Sequence, residues 1–184
     1  MKRVVVNSLL LFSCFCLLMS SFSYSQDQDR SSHFSYDFTN DFLKNYYSQL
    51  TGISVHEICN TSLYGAIESW LGVPYRYAGR SRKGIDCSAF VSVVYNNAFD
   101  SQVQGNSYTM YQNSKPVKKN DLEEGDLVFF KTSRHKTISH VGVFLGNNKF
   151  AHASRTNGVI ISDLQNSYYK KRFVRGGRLI SLRN

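Results

Sequence analysis

The sequence predicts an α+β domain, with helices from the N-terminal half packed on an antiparallel sheet from the C-terminal half. Up to about residue 99, apolar residues recur at spacings of three and four, which is typical of amphipathic helices. From residue 126 onward, short runs of β-branched and aromatic residues alternate with turn residues. Helices followed by strands along one chain favour an α+β fold.

Three segments carry the helical pattern. Residues 36–50 and 62–71 each place their apolar side chains on one face, and Pro74 stops the second segment. Residues 87–99 are apolar on nearly every side, as expected of a helix in the centre of a domain, with Asp86 as a candidate N-cap.

Five short runs carry the strand pattern and suit a meandering antiparallel sheet. The predicted strands are residues 126–131, 139–145, 149–154, 159–162 and 173–180. Gly146, Asn147 and Asn148 separate the second run from the third and are the residue types that a tight hairpin turn requires.

The first 25 residues have the pattern of a cleaved signal peptide. Two basic residues precede a mostly apolar run over residues 4–19, which falls short of the ~18 unbroken apolar residues of a membrane span. Cys14 and Cys16 raise a lipoprotein alternative, but bulky Phe12 stands where such a signal has a small residue. We therefore expect export to the periplasm or cell envelope.

Removal of the signal leaves 184 − 25 = 159 residues, enough for one domain with a proper core. We expect a partly helical extension over residues 26–61 and the main domain over residues 62–184. The formal charge of +9 falls to +7 when Lys2 and Arg3 are removed. This excess of positive charge is expected of a protein that binds an anionic wall polymer or makes peripheral contact with a membrane. It is equally expected of a basic surface that is only solvated. No motif indicates a nucleic acid partner, and we expect a monomer.

Cys87 is the candidate nucleophile because it stands where a loop enters the apolar helix. Unpaired backbone N–H groups and the helix dipole at such a position are expected to lower a thiol pKa from ~8.5 toward neutrality. Alone, a cysteine before an apolar helix is more often a core residue. Cys59 is expected in the core, and a Cys59–Cys87 disulfide is less expected than a free thiol, since secreted disulfide-rich proteins usually have several pairs.

His140 and His152 can supply a base and an orienting group. If Gly146 to Asn148 form a three-residue loop, Gly142 lies opposite His152, and His140 lies on the same face at a diagonal distance of ~7–8 Å. A two-residue loop would shift the register by one and turn the two rings to opposite faces. The pattern predicts that His140 takes the thiol proton while His152 fixes the tautomer of His140.

The expected chemistry is attack of the Cys87 thiolate on an amide carbonyl, followed by hydrolysis of the acyl-enzyme. Backbone N–H groups at the start of the Cys87 helix, with the hydroxyl of Tyr75, are candidates to stabilise the oxyanion.

The sequence resembles the NlpC-type cell-wall endopeptidases in five blocks that keep the order of that family, between residues 62 and 180. Five blocks in order are far more specific than one short motif. The blocks are Pro74 to Gly79, Gly84 to Val91, Gly125 to Phe130, Ser139 to Val143 and Ala151 to Ser154.

This resemblance implies a papain-like fold in circularly permuted form, with a partly barrel-like antiparallel sheet. It implies cleavage of peptidoglycan stem peptides between γ-D-glutamate and the following diamino acid, diaminopimelate or lysine. It also implies site residues, which are the nucleophile Cys87, the base His140, the polar third residue His152, the hydroxyl of Tyr75, and Asp86 and Ser88 near the free amine of the substrate.

Two residues depart from the family pattern. Ala89 replaces the glycine usual after Asp-Cys-Ser, and Ala78 replaces a glycine of the aromatic-Gly-Gly block. Each adds a methyl group, so we expect altered packing or a narrower cleft. Asp86 fits a purely structural N-cap role as well as a substrate role.

No metal or cofactor is expected. His33, His56 and His135 lack the close spacing of metal ligands, and basic residues surround His135. Two other functions stay open: a non-catalytic wall-binding protein on the same fold, and an amidase or acyltransferase of the same superfamily.

Overall fold

The computed structural model describes residues 39–133 and 137–179 of the chain, which divides into two compact units, residues 1–43 and 44–184. The predicted signal peptide, His33 and His135 lie outside the described residues. In the first unit, residues 39–43 are helical. Of the helices within the described ranges, none has the length and apolar character needed to cross a membrane. The expected boundary between an extension and the main domain at residue 61 stays a prediction.

In the second unit, helix α1 comprises residues 44–51. The remaining helices are α2 (Thr61–Glu68), α3 (Cys87–Phe99), α4 (Ser107–Asn113) and α5 (Ser167–Lys170), with 3₁₀ turns at Val55–Glu57 and Lys119–Asp121. Side chains cap the N-termini of α2 and α3. Asn60 accepts from the Leu63 N–H at the start of α2, and Asp86 accepts from the Ala89 N–H at the start of α3.

Within residues 39–133 and 137–179, eight strands form two sheets. A small hairpin pairs β1 (Arg80–Ser81) with β2 (Gly84–Ile85). The main sheet is antiparallel and open, with the order β3-β8-β4-β5-β6-β7. Its strands are β3 (Lys115–Val117), β4 (Leu127–Phe130), β5 (His140–Gly146), β6 (Lys149–Ser154), β7 (Gly158–Asp163) and β8 (Phe173–Arg178). The predicted α+β class and antiparallel sheet are confirmed.

Helix α3 packs against β5, β6 and α2, which places it at the centre of the unit. Phe90, Val94 and Tyr95 on this helix are fully buried, as its apolar sequence predicted. The Tyr95 hydroxyl donates to the carbonyl of Gly125, so its one polar group is satisfied inside the core. This packing brings the first turn of α3 next to the strand that begins with His140.

The turn between β5 and β6 is the two-residue alternative, and not the three-residue loop on which the expected geometry of His140 and His152 was conditional. Gly146 pairs with Lys149, and the two residues between them, Asn147 (φ 43°) and Asn148 (φ 59°), are both left-handed. This is the backbone of a two-residue hairpin turn, in which asparagine is favoured.

A one-residue bulge corrects the register that this turn would otherwise give. The pairing shifts between Phe144 and Gly146, so Leu145 is the extra residue, and Val143 pairs with Ala151. The carbonyl of Leu145 accepts from the Tyr64 hydroxyl at 2.9 Å instead of from the strand ladder. Continuing the Val143–Ala151 register places Gly142 opposite His152, the register expected for a three-residue loop, although the turn itself has two residues.

Helix α3 and β6 match their predicted bounds, and the other predicted helices and strands are observed with ends shifted by a few residues. The strands β1, β2 and β3 and the short helices α4 and α5 were not predicted. Each has seven residues or fewer, which is too short to show a periodic apolar pattern.

Candidate active site

Cys87 is the first residue of α3, and its side chain is 7% exposed. It is a free thiol, as predicted. The backbone N–H groups of Val141, Ser88 and Cys87 itself point at the sulfur. Because Val141 follows His140 in β5, its contact with the sulfur fixes the start of α3 against the strand that carries the first histidine.

Burial raises the pKa of the Cys87 thiol to about 11 despite these backbone donors, and the charge of Asp86 adds to the rise. The prediction that the helix terminus lowers this pKa toward neutrality is therefore wrong for the free protein. A helix terminus stabilises an adjacent charge by about 0.3–1 kcal/mol at an exposed site, whereas desolvation of a buried charge costs several kcal/mol. The resting thiol is protonated at neutral pH.

His140 and His152 meet on one face of the β5–β6 hairpin. His140 Nε2 lies 2.9 Å from His152 Nδ1, and the two ring planes are perpendicular. This contact occupies one nitrogen of each imidazole and leaves His140 Nδ1 as the nitrogen available to a substrate or to the thiol. The structure thus brings together the two histidines that the sequence paired.

Two further side chains, which the sequence reasoning missed, continue the hydrogen-bond chain. His152 Nε2 lies 3.0 Å from Ser162 Oγ on β7 and 3.1 Å from the Tyr169 hydroxyl on α5. Ser162 could have been found from pairing, because Ile160 is opposite His152 and Ser162 is two residues along the same face. Tyr169 lies on a four-residue helix that no periodic pattern indicated.

Burial of both imidazoles disfavours their charged forms. The pKa of His140 falls to about 4, because of burial first and the positive charge of Arg155 second. Burial also lowers the pKa of His152 well below its usual range. At neutral pH the site therefore holds a neutral thiol and two neutral imidazoles, and each ring carries one N–H.

Aromatic rings hold His152 in this orientation. Its ring stacks on Phe150, with centroids 4.9 Å apart and planes at 23°, and the Tyr169 ring meets it edge-on. A substituent at Gly142 would have no room, since a Cβ there would lie 2.7 Å from the carbonyl oxygen of Ala151 and 2.8 Å from the Phe150 ring. The small residue at position 142 thus lets β5 pass close to the β6 backbone and to the Phe150 ring that stacks on His152.

Two cavities flank the thiol and the histidines. The first, about 350 Å³, contains Cys87 and its flanking residues, and the second, about 360 Å³, contains His140 and His152. Arg155, just after β6, is the one described residue that lines both cavities. The site is therefore a cleft in two parts, with the sulfur in one part and the imidazoles in the other.

Tyr75 lines the sulfur cavity, as do Asp86 and Ser88. Burial raises the pKa of the Tyr75 hydroxyl, which keeps it protonated and able to donate at neutral pH. The Arg155 guanidinium lies 5.8 Å from the centre of the Tyr75 ring, and its positive charge partly offsets the rise in the pKa of the Tyr75 hydroxyl.

Asp86 is the N-cap of α3, and Ser88 is bonded to it. Asp86 Oδ1 accepts from the Ala89 N–H and from the Ser88 hydroxyl, each at 2.8 Å. The structural role that the sequence offered for Asp86 is thus observed. Any contact of these two residues with a substrate must coexist with the cap.

Ala78 adopts a left-handed backbone with φ 55°, a conformation that glycine adopts at no steric cost. The departure from glycine at this position therefore strains the backbone, beyond the packing change that we expected. Ala89 has no such strain, because it lies inside α3 and is buried.

Cys59 is exposed, so its predicted place in the core is wrong. Its backbone N–H and that of Asn60 donate to the Glu124 carboxylate at 2.7 and 2.9 Å. His56, the described member of the three remaining histidines, is exposed on the 3₁₀ turn before Cys59. Over residues 39–133 and 137–179, no group of three or more His, Cys, Asp or Glu side chains is arranged to hold a metal ion.

Comparison with known proteins gives consistent matches. The family model described as NlpC/P60 family matches residues 72–178. The chain is 42% identical over 113 residues to the protein named Probable endopeptidase NlpC of Escherichia coli strain K12, across 61% of this chain and 73% of that protein. It is 41% identical over 112 residues to Murein DD-endopeptidase MepS/Murein LD-carboxypeptidase of the same strain, across 61% of this chain and 58% of that protein.

The fold is also similar to solved structures. A crystal structure of an NlpC/P60 family protein from Bacillus cereus superposes with a TM-score of 0.60 at 27% identity. The superposition covers 67% of this chain and 42% of that one, so this chain spans less than half of that neighbour.

Proposed function

The chain belongs to the NlpC/P60 family, and from this premise we propose that it is a cysteine endopeptidase that hydrolyses peptidoglycan stem peptides. One observation carries the proposal: the sulfur of Cys87 faces the backbone of Val141, directly beside a His140 whose second nitrogen is bonded to His152. A nucleophile, a base and an orienting group in one cleft are the parts that thiol catalysis needs.

The proton moves along a defined path in this proposal. His140 Nδ1 takes the Cys87 proton while His140 Nε2–H donates to His152 Nδ1, which fixes the base-competent tautomer. His152 then carries its own proton on Nε2 and donates it to Ser162 or Tyr169. The chain of hydrogen bonds stabilises the imidazolium that forms on His140 without a buried carboxylate.

The thiolate attacks the amide carbonyl, and the carbonyl oxygen becomes an oxyanion. Backbone N–H groups at the start of α3 and the protonated Tyr75 hydroxyl are the available donors for it. Collapse of the tetrahedral intermediate breaks the C–N bond as His140 protonates the leaving amine. His140 then deprotonates a water molecule, which hydrolyses the thioester and restores the thiol. Apart from the substrate and this water molecule, the steps use side chains and backbone groups of this chain.

Two bonds of the stem peptide are candidates. The resemblance found in the sequence favours the amide between γ-D-glutamate and the following diamino acid. The similarity to Murein DD-endopeptidase MepS favours a second candidate, a D,D-amide of the peptide cross-link. We propose the γ-D-glutamyl bond as the primary target, and product analysis separates the two.

Such a substrate lies in the cell envelope, so the proposed function includes export through the predicted signal peptide. The net charge of +7 that remains after removal of Lys2 and Arg3 favours association with an anionic wall.

Digestion of purified peptidoglycan, followed by mass analysis of the soluble products, tests this function. The wild-type protein should release peptides that Cys87→Ala does not release, while Cys59→Ala, which changes the exposed thiol, should match the wild type. After the glycan strands are cut with a muramidase, disaccharides that carry a dipeptide ending in glutamate identify the γ-D-glutamyl bond, and conversion of dimers to monomers identifies the D,D-bond. Equal wall binding by wild type and Cys87→Ala without any release would instead support the non-catalytic alternative. Activity on lipid or other amides alone would support the amidase or acyltransferase.

A further inference from the structure

The histidine-side cavity contains one arginine in an otherwise neutral polar lining. Apart from the two histidines, its described lining residues carry hydroxyl, amide and phenol groups, and Arg155 is the one with a permanent charge. A cationic group in a cleft of this kind fits an anionic part of a ligand.

We infer that Arg155 forms a subsite for a carboxylate on the leaving group, so that the protein prefers stem peptides whose leaving diamino acid is diaminopimelate over those containing lysine. This inference rests on the proposed function and deepens it, because it names which of two substrate classes the same site takes.

The leaving group belongs on the histidine side for a chemical reason. His140 must hand its proton to the departing nitrogen, so the departing amine has to lie beside the imidazole rather than beside the helix terminus that faces the oxyanion. The cavity of about 360 Å³ next to His140 and His152 is the space that extends from this point. Arg155 lies in its lining and also reaches the sulfur cavity.

Arg155 is held in place and still has donors to offer. Its guanidinium lies 5.8 Å from the centre of the Tyr75 ring, and its charge acts on the hydroxyl of that residue. A guanidinium has five N–H donors, so one contact leaves a pair free for a carboxylate. None of the ion pairs found among the described residues involves Arg155, and the side chain is exposed to the cleft.

The two diamino acids differ in the carboxylate that Arg155 would bind. Diaminopimelate has a carboxylate at the far end of its side chain, where lysine has only hydrogen. In both candidate bonds the diamino acid is on the amine side of the scissile amide, so either bond places it in the histidine-side cavity. Arginine binds a carboxylate through two parallel N–H···O bonds, whereas lysine as a protein residue offers a point charge.

A matched pair of synthetic stem peptides, identical except for diaminopimelate or lysine, tests the inference by kcat/KM. The wild type should prefer the diaminopimelate peptide by about 10- to 100-fold, the range expected for one charged hydrogen-bonded pair. Arg155→Gln should reduce that ratio to near one by slowing the diaminopimelate peptide, and Arg155→Lys should keep an intermediate ratio.

Arg82→Gln is the matched control, because it removes the same charge from an exposed arginine that lies over Trp70 and lines neither cavity. The Arg82→Gln variant should show the same ratio of kcat/KM values for the diaminopimelate and lysine peptides as the wild type. Arg155 is exposed in a turn, so its replacement should leave the melting temperature unchanged. Thermal melts of all variants check that a change in the kcat/KM ratio does not come from unfolding.

A second arm replaces the free carboxylate of the γ-linked glutamate by an amide. If the Arg155-dependent preference follows that carboxylate instead of the one on diaminopimelate, the leaving-side subsite is refuted. Equal wild-type rates on the diaminopimelate and lysine peptides, or a preference that persists in Arg155→Gln, also refute it and leave the proposed function standing. If no stem peptide is cleaved by the wild type, the proposed function itself fails, and this inference fails with it.

Discussion

His140 Nε2 and His152 Nδ1 lie 2.9 Å apart, and this one contact determines which nitrogen of His140 can act as a base. When Nε2 carries the proton of the shared bond, Nδ1 has the free lone pair. When His152 donates instead, Nδ1 of a neutral His140 carries the proton and cannot accept another. The partners of His152 on its other side, Ser162 and Tyr169, can accept from it, which permits the base-competent arrangement.

Replacement of His152 by alanine should therefore lower kcat by about 100-fold or more while KM changes little, because orientation and tautomer are lost but the cleft remains. His152→Asn should retain more activity, since its side-chain oxygen can accept from His140 Nε2–H. Steady-state kinetics on a cleaved stem peptide measure both. Equal losses in the alanine and asparagine variants would argue that His152 only fills space.

The pH dependence of kcat/KM should be flat across the neutral range. Protonation of His140, whose pKa burial lowers to about 4, removes the base on the acid side. On the alkaline side, loss of the thiol proton, whose pKa burial raises to about 11, leaves no proton for the leaving amine. We expect a plateau from about pH 5 to about pH 10. An acid limb centred near the ordinary histidine pKa would show that His140 is not desolvated in the working enzyme.

The free energy of unfolding should decrease over the pH range in which the histidines are neutral in the folded protein but protonated in the unfolded chain. The pKa values of His140 and His152 are lower in the folded protein than the ordinary value of 6.5, so the unfolded chain binds more protons between pH 6.5 and about 4. The free energy of unfolding is therefore fully maintained above pH 6.5 and decreases as the pH falls toward 4. Denaturant unfolding at several pH values measures this slope and separates it from the catalytic acid limb. A His152→Phe variant should show a shallower decrease.

Ser162 and Tyr169 share one nitrogen of His152, and we expect each to compensate for the loss of the other. Ser162→Ala or Tyr169→Phe alone should reduce kcat by less than about 10-fold, because one acceptor remains for His152 Nε2–H. The double variant should lose more than the product of the single effects. A double-mutant cycle on kcat measures this coupling, and strictly additive losses would count against a shared role.

Ala78→Gly should stabilise the protein by about 0.5–1 kcal/mol, since the relief of a left-handed alanine exceeds the added freedom of the unfolded chain. The position has φ 55° and lines the sulfur cavity. Urea unfolding measures the change. Ala89→Gly, inside α3, is the matched control and should destabilise the protein by a similar amount, as glycine does in a helix. A loss of stability in Ala78→Gly would contradict the strain.

Much of the site could be predicted because it follows from local patterns. The apolar run after Cys87 identified α3 within its observed bounds, and the short runs of β-branched and aromatic residues around His140 and His152 identified the two strands that bring the imidazoles together. These signals depend only on local composition and on the turn residues that bound each run, which a single sequence displays.

The rest depends on contacts between distant segments. The Tyr169 hydroxyl contacts His152 from a helix of four residues. Arg155 lies beside Tyr75, a residue far away in the sequence, and interacts with its ring and hydroxyl. The pKa of Cys87 could not be predicted from the helix terminus alone, because burial by β5 dominates it. Tertiary packing thus decides the electrostatics that sequence motifs leave open.

The bulge at Leu145 makes the length of the β5–β6 hairpin part of the catalytic design. If Leu145 were drawn into the ladder opposite Phe150, every reactive side chain would stay in the sequence, but Val143 would lie opposite His152 and the His140 ring would emerge on the opposite surface of the sheet. A one-residue change in the length of the Asn147–Asn148 turn therefore keeps both imidazoles on one face only if the strand gains or loses a bulge with it. Among relatives, a change of turn length without that second change is a sign of lost activity that a search for intact cysteine and histidine would overlook.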